Sequence, residues 1–148
     1  MFQVAKLVGQ TLREVIKTQS GQDGPEAEAT FSATIILGGQ IKGSPPRLFL
    51  IYPEGNFIEA SDDTPFFQIG ETKYGRPILV RAFDPEMSFE DAVKLLMVSF
   101  DSTIKANLSV NLPLDLHVYT ADSLKHGTMT RIEKYDPYFN VISIGWGD

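Results

Sequence analysis

The sequence predicts an α+β fold, and three observations lead to that class. Two apolar runs, Ala33–Leu37 and Leu48–Tyr52, are rich in branched and aromatic residues and are bounded by glycine or proline, as buried strands usually are. A third, alternating segment at Phe57–Ala60 follows the turn-forming residues Pro53–Asn56. Apolar residues at helical spacing before and after these segments predict helices on both sides of them. We therefore expect a three-stranded antiparallel meander that is covered by helices.

The first helix is predicted at the amino end of the sequence. Val4, Val8, Leu12 and Ile16 recur at helical spacing and form one apolar stripe, with polar residues opposite. No Ser, Thr, Asp or Asn precedes this stripe as a capping residue. We expect such a helix to continue a longer chain, although a simple N-terminal helix is the alternative.

A longer helix is predicted to begin at Ser88 and to end near Asn107–Ser109. Ser88 and Asp91 approximate a capping box, and Pro85 prevents the helix from extending backwards. The remaining predictions are a short strand at Phe66–Ile69, a short helix at Pro77–Phe83, strands at Leu114–Thr120 and Thr128–Ile132, and a last helix from Asp136-Pro137 to Ile144.

Length and composition fit one ordinary globular domain over residues 1–148. The net charge of −6 disfavours binding to nucleic acid or to an anionic membrane, because phosphate recognition needs clustered Lys and Arg. The chain has no cysteine, so disulfides and thiolate metal sites are excluded. No apolar run reaches the roughly 18 residues of a membrane span, and the first six residues lack a signal-peptide pattern. We expect a cytoplasmic protein without a cofactor.

The motifs that could carry other chemistry have simpler interpretations. Residues 38–44 have the outline of a phosphate loop but lack its lysine and join two strands, so a hairpin turn is the better interpretation. His117 and His126 have no second ligand at metal spacing, so we expect no metal site. His117 alternates with Leu116 and Val118 and should lie on the other face of its strand.

Two stretches of the sequence resemble the Anbu ("ancestral beta subunit") group of bacterial proteasome-type peptidases. They read LGGQIKGSPPRLFLIYPEGNFIEASDDTPFFQIGETKYGRP and SFDSTIKANLSVNLPLDLHVY. The resemblance covers almost the whole chain and includes the loops as well as the hydrophobic pattern. It implies the Ntn-hydrolase fold, an αββα sandwich of two antiparallel sheets between helical layers. The predicted element order corresponds to that fold after its first strands and first helix. The resemblance therefore implies a C-terminal portion, with a sandwich that is incomplete at its N-terminus.

The resemblance also implies a catalytic group that this sequence does not contain. In the family the nucleophile is the N-terminal residue, usually Thr, and its own α-amino group serves as the base. Here the first residues are Met1 and Phe2, and Thr11 falls within the first helix. We expect the 148 residues as given to lack the nucleophile strand and to be inactive alone.

Supporting site residues can be inferred from the same resemblance. Asp101, near the end of the long helix, matches the acid that supports the terminal nucleophile, and a carboxylate there is disfavoured by the helix dipole. A position on the solvent side is the simpler alternative. Gly70 and Glu71 match the Gly-Ser turn beside the substrate, with Glu71 where proteasome subunits carry Ser. Asn107 or Ser109 is a candidate for the next polar partner.

The function implied is that of a threonine-type peptidase subunit that acts on peptides and assembles with sister subunits into a ring or spiral. A non-catalytic assembly module is the first alternative. An unrelated α+β binding domain is the second. We also expect the uncovered apolar surface of an incomplete sandwich to cause self-association.

Overall fold

The computed structural model describes residues 1–20 and 31–147. It confirms the α+β class, with four helices and two antiparallel sheets in this part of the chain. The chain forms two compact units, Met1–Ile69 and Gly70–Asp148. That residues 1–148 are a single domain stays a prediction.

The helices and strands have the following bounds. The first unit contains α1 (Phe2–Ser20), β1 (Ile35–Gly39), β2 (Arg47–Ile51) and β3 (Phe57–Glu59). The second contains α2 (Arg76–Ala82), α3 (Phe89–Ala106), β4 (Leu114–Val118), β5 (Thr128–Ile132) and α4 (Pro137–Gly147). Of the described residues, none belongs to a helix long and apolar enough to cross a membrane.

The predicted meander is confirmed in the first unit. Its strands pair antiparallel in the order β1-β2-β3. The predicted hairpin turn is confirmed, with residues 40–46 as the connection, in which the Ser44 amide donates to the Ile41 carbonyl at 2.9 Å. The side chains of Phe49 and Ile51 in β2 are fully buried. Helix α1 contacts β2 and β3, and the Phe2 ring meets the Phe57 ring edge-on at 5.2 Å. Ala5 and Leu12 of α1 are buried, whereas Val4 of the predicted stripe is 40% exposed, so the stripe that helps to cover one face of the sheet is only in part the predicted one.

The opposite face of this sheet carries exposed apolar residues. Ile36, Leu50 and Ile58 are neighbours in the strand register, and Ile36 and Ile58 remain 36% and 43% exposed. We call these three residues the open sheet face. It agrees with the expectation that apolar surface along the first two strands stays partly uncovered.

The prediction of a strand at Phe66–Ile69 is wrong. The segment is irregular and follows a tight turn in which Ser61 and Thr64 bridge each other through their backbones. Pro65 at its start has no backbone N–H to give to a ladder, and Gly70 at its end has a φ of +78°, which bends the chain away. A four-residue apolar run between such residues is too short to specify a strand by its pattern alone.

In the second unit, α3 begins at its predicted N-cap, Ser88, which also pairs with the Asp91 side chain. The Asp91 amide donates to Ser88 Oγ at 3.1 Å, and that hydroxyl donates to Asp91 Oδ2 at 2.8 Å. Helix α4 begins at its predicted cap, where the Phe139 amide donates to Asp136 Oδ1 at 2.9 Å.

The core of the second unit joins α3 and α4 to the β4–β5 hairpin. Met97, Ile132 and Phe139 are buried together, and Leu114 and Leu116 pack against them. Along β4 these leucines alternate with the exposed Asp115 and His117, as predicted. The helix and the hairpin therefore share one apolar interior.

Candidate functional site

The turn at Gly70 places Glu71 for contact with the end of α3. Glu71 Oε1 accepts a hydrogen bond from the Lys73 backbone N–H at 2.6 Å. Its other oxygen, Oε2, accepts from Asn107 Nδ2 at 2.7 Å. Both oxygens of the carboxylate are therefore held, one by its own loop and one by a residue 36 positions away in sequence.

Asn107 extends this contact to Ser109. It is the C-cap of α3, and its own backbone N–H donates to the Thr103 carbonyl. The side-chain oxygen Oδ1 accepts from the Ser109 N–H at 2.8 Å and from Ser109 Oγ at 2.6 Å. The amide of one side chain thus connects Glu71 to Ser109. We call Glu71, Asn107 and Ser109 the Glu71 network.

These hydrogen bonds favour the charged form of Glu71. The backbone N–H of Lys73 is the largest cause that lowers the pKa of Glu71, and the Asn107 amide and the Lys73 charge act in the same direction against partial desolvation. Because the pKa of Glu71 is lower in the folded state, its ionised form stabilises the fold at pH values above the pKa of an unfolded glutamate, about 4.3. This contribution is lost as the pH falls through the lower pKa of the folded state.

Asn107→Ala should raise the pKa of Glu71, because it removes a hydrogen-bond donor to the charged carboxylate. The midpoint is measured from the side-chain carboxyl ¹³C shift during an acid titration. Asn140→Ala, which changes an exposed asparagine in α4, is the control and should leave the midpoint where it is. An unchanged Glu71 midpoint in Asn107→Ala would show that the network does not hold in solution.

Two buried polar residues of α3 lie beside the loop that carries Glu71. Ser99 and Thr103 are each only 4% exposed, and Thr103 Oγ1 donates to the Ser99 carbonyl at 2.9 Å. They pack against Gly75, where a Cβ atom would lie 2.4 Å from Ser99 Oγ and 2.9 Å from Thr103 Oγ1. The last glycine of the QIGETKYGRP loop is therefore required for this close approach.

Asp101 lies on α3 but outside the Glu71 network. Asp101 is only 2% exposed, so the alternative that its side chain faces solvent is wrong. Lys105 Nζ lies 2.9 Å from Asp101 Oδ2, one helical turn away, although Oδ2 has no partner with hydrogen-bond geometry among the described residues. Lys105 also donates to the Ser143 carbonyl of α4 at 3.3 Å. The buried carboxylate thus pairs with a lysine that reaches α4.

Sequence reasoning identified Glu71, Asn107 and Ser109 separately and missed Lys105. The structure brings the first three together and pairs Asp101 with Lys105. The i, i+4 spacing of an acid and a lysine on one helix was a signal that could have identified this ion pair. No local pattern could have predicted that Trp146 Nε1 donates to Ser102 Oγ at 3.0 Å, because 44 residues separate them.

The chain was compared with known proteins. No protein-family model matches it, and no curated protein matches it. Among solved structures, it is similar to Anbu (ancestral beta-subunit) from Yersinia bercovieri, with 48% identity and a TM-score of 0.90 over 99% of this chain. The chain belongs to the Anbu family. The resemblance of the loop sequences is thereby confirmed.

Two further Anbu structures give similar values. An Anbu (Gly-1) mutant from Hyphomicrobium sp. strain MC1 is 49% identical over 100% of this chain, with a TM-score of 0.90. The helical assembly of the Anbu complex from Pseudomonas aeruginosa is 45% identical over 99%, also with a TM-score of 0.90. The chain spans about 60% of the length of each of these three Anbu chains. Over that length it has the Anbu fold, which is the fold class implied by the resemblance.

Proposed function

We propose that the chain is the C-terminal portion of a proteasome-like, threonine-type peptidase subunit of the Anbu family. The single observation that carries this proposal is the 48% identity to an Anbu structure over 99% of the chain. The chemistry of such a subunit needs a terminal hydroxyl nucleophile with its own amine as base. The chain spans about 60% of the Anbu chains that it matches, so that group would come from the part of the subunit that it does not span.

Within this proposal, α3 supports the site in two ways. Asp101 presents a buried carboxylate that can balance the charge of a terminal ammonium and orient a hydroxyl. Gly70 and Glu71 form a wall for the peptide substrate, and Asn107 holds that wall in place through a 2.7 Å hydrogen bond. Because Asp101 lies on α3 and Asn107 caps it, one rigid helix would position both parts.

The proposal also includes self-assembly and a cytoplasmic location. The Pseudomonas aeruginosa relative forms a helical assembly, and we infer a ring or spiral of sister subunits for the complete form of this protein. The absence of cysteine is compatible with a reducing compartment.

The test is a chimera in which the amino-terminal part of the Yersinia bercovieri Anbu is joined to residues 1–148. It should hydrolyse small peptide amides, whereas residues 1–148 alone should not. In the chimera, Asp101→Asn should lower turnover about tenfold, equivalent to about 1.4 kcal/mol of transition-state stabilisation. Asp115→Asn, at an exposed carboxylate paired with Arg131 on β5, is the control and should retain turnover.

A non-catalytic assembly module is the second candidate, and the open sheet face favours it. Ile36 and Ile58 offer a contact surface that requires no chemistry. A chimera that assembles into large particles but hydrolyses no peptide would support this alternative and contradict the first. Turnover that is unchanged in Asp101→Asn would remove Asp101 from the site while leaving the peptidase proposal in place.

A further inference from the structure

The loop that carries Glu71 is attached to α3 at two points. Near the start of the loop, Glu71 Oε2 accepts a hydrogen bond from Asn107 Nδ2 at 2.7 Å. At the end of the loop, Gly75 is buried and lies against Ser99 and Thr103. Ser99, Thr103 and Asn107 follow each other at intervals of four residues, so they lie along one face of the helix. A single row of polar side chains on α3 therefore holds both ends of the loop.

Glycine at position 75 serves close packing and not backbone freedom. Its φ and ψ are −88° and −37°, in the helical region that is open to every residue. A Cβ atom, however, would lie 2.4 Å from Ser99 Oγ, 2.9 Å from Thr103 Oγ1 and 3.0 Å from the Ser99 carbonyl oxygen. The carbonyl belongs to the backbone of α3, so it cannot rotate away. We call Ser99 and Thr103 the α3 notch, because the backbone of Gly75 fits directly against them.

Both sides of this contact are fixed by further bonds. Thr103 Oγ1 donates to the Ser99 carbonyl at 2.9 Å, and the Thr103 carbonyl accepts from the Asn107 N–H at 2.8 Å. The α3 notch is thus joined by hydrogen bonds to the C-cap of the helix. On the loop side, the Gly75 carbonyl accepts from the N–H of Leu79, which is buried in α2. A close-packed contact of this kind transmits a displacement instead of absorbing it.

We propose that Gly75, Ser99 and Thr103 are positioning residues for the substrate wall that Gly70 and Glu71 form. They act through the loop and not by contact with the peptide. The size of the side chains at these three positions sets how closely the loop approaches α3, and thereby where the wall stands. The inference rests on the proposed function, because only that function makes Gly70 and Glu71 a wall for a peptide.

Gly75→Ala tests this role in the chimera with the amino-terminal part of the Yersinia bercovieri Anbu. The KM for a small peptide amide should rise about fivefold while kcat changes less than about twofold, because a wall that binds substrate and transition state alike affects KM alone. Gly145→Ala is the matched control and should change neither constant, since its added Cβ would have no neighbour within 4 Å among the described atoms. A KM that stays unchanged in Gly75→Ala would overturn the inference and leave the peptidase proposal in place.

Variants of Ser99 show whether the close contact is the cause. Ser99→Ala removes the atom that would lie 2.4 Å from the new Cβ, so Gly75→Ala/Ser99→Ala should have a lower KM than Gly75→Ala. A double variant whose KM is as high as that of Gly75→Ala would overturn the assigned role of Ser99. If circular dichroism shows that Gly75→Ala does not fold, Ser99→Val enlarges the other side of the same contact and should raise KM in the same direction. A folded Ser99→Val with an unchanged KM would overturn the inference.

A measurement on residues 1–148 tests the attachment without any turnover. If Gly75→Ala displaces the loop, the hydrogen bond from Asn107 to Glu71 is weakened, and the midpoint of the Glu71 carboxyl ¹³C shift in an acid titration should rise. A loss of stability alone would not move this midpoint in the folded chain, and Gly145→Ala should leave it unchanged. An unchanged midpoint in Gly75→Ala would overturn the attachment at two points. A raised midpoint together with an inactive chimera would support the attachment and overturn its role in peptide hydrolysis.

Discussion

Gly9→Ala should lower the free energy of unfolding by about 1–3 kcal/mol, the usual range for overpacking a closely packed site. Gly9 lies in α1 where the helix meets the turn before β3, and a Cβ atom there would lie 2.2 Å from the Gly55 carbonyl oxygen. That atom belongs to the backbone, so it cannot rotate away. Gly55 itself has a φ of +87°, which favours glycine, so the turn cannot easily change to make room.

The matched control is Gly145→Ala, at a helical glycine whose added Cβ would have no neighbour within 4 Å among the described atoms. Alanine in an open helical position usually stabilises by about 0.5–1 kcal/mol relative to glycine. Chemical denaturation followed by far-UV circular dichroism measures both variants. If Gly9→Ala stabilised the chain as Gly145→Ala does, the close packing of α1 on the turn would be contradicted.

Lys105→Met should also destabilise the fold, by about 1–3 kcal/mol. The change removes the cation that lies 2.9 Å from Asp101 Oδ2 and leaves a carboxylate that is 3% exposed without a charge partner. A fully buried pair would lose more, but the Lys105 side chain is 54% exposed and water already weakens this pair. Thermal and urea unfolding give the measured difference.

The double variant Asp101→Asn/Lys105→Met tests the cause. If the loss in Lys105→Met comes from an uncompensated buried charge, removing that charge should recover most of the lost stability. Lys94→Met is the control for lysine removal on the same helix, since its partners Glu90 and Asp91 are exposed and their pairing contributes little. A double variant that is less stable than Lys105→Met alone would show that Asp101 stabilises the fold in another way.

Much of the fold follows from local sequence. The N-cap at Ser88 and the cap at Asp136 satisfy backbone N–H groups within three residues, so their positions could be read directly. The meander could be predicted because its two longer strands are apolar runs between turn formers. The conformation of Phe66–Ile69 could not be predicted, because the pattern of a short apolar run does not show whether it pairs with a neighbouring strand.

The candidate site was less predictable, because its contacts join distant parts of the chain. Asn107 contacts Glu71 across 36 residues, and the resemblance to a family named the two residues without pairing them. The burial of Asp101 was also not evident. Late in a helix, a carboxylate is usually exposed, and its burial here depends on how α3 meets the rest of its unit.

The most direct test of the proposed function is covalent labelling with a β-lactone or epoxyketone probe that captures N-terminal threonines, read by intact mass. Residues 1–148 should gain no adduct, because residues 2–20 form helix α1 and no Thr or Ser opens a strand there. The chimera with the amino-terminal part of the Yersinia bercovieri Anbu should gain one adduct on its N-terminal residue. A stoichiometric adduct on residues 1–148 alone would contradict the proposal that the nucleophile lies outside this chain.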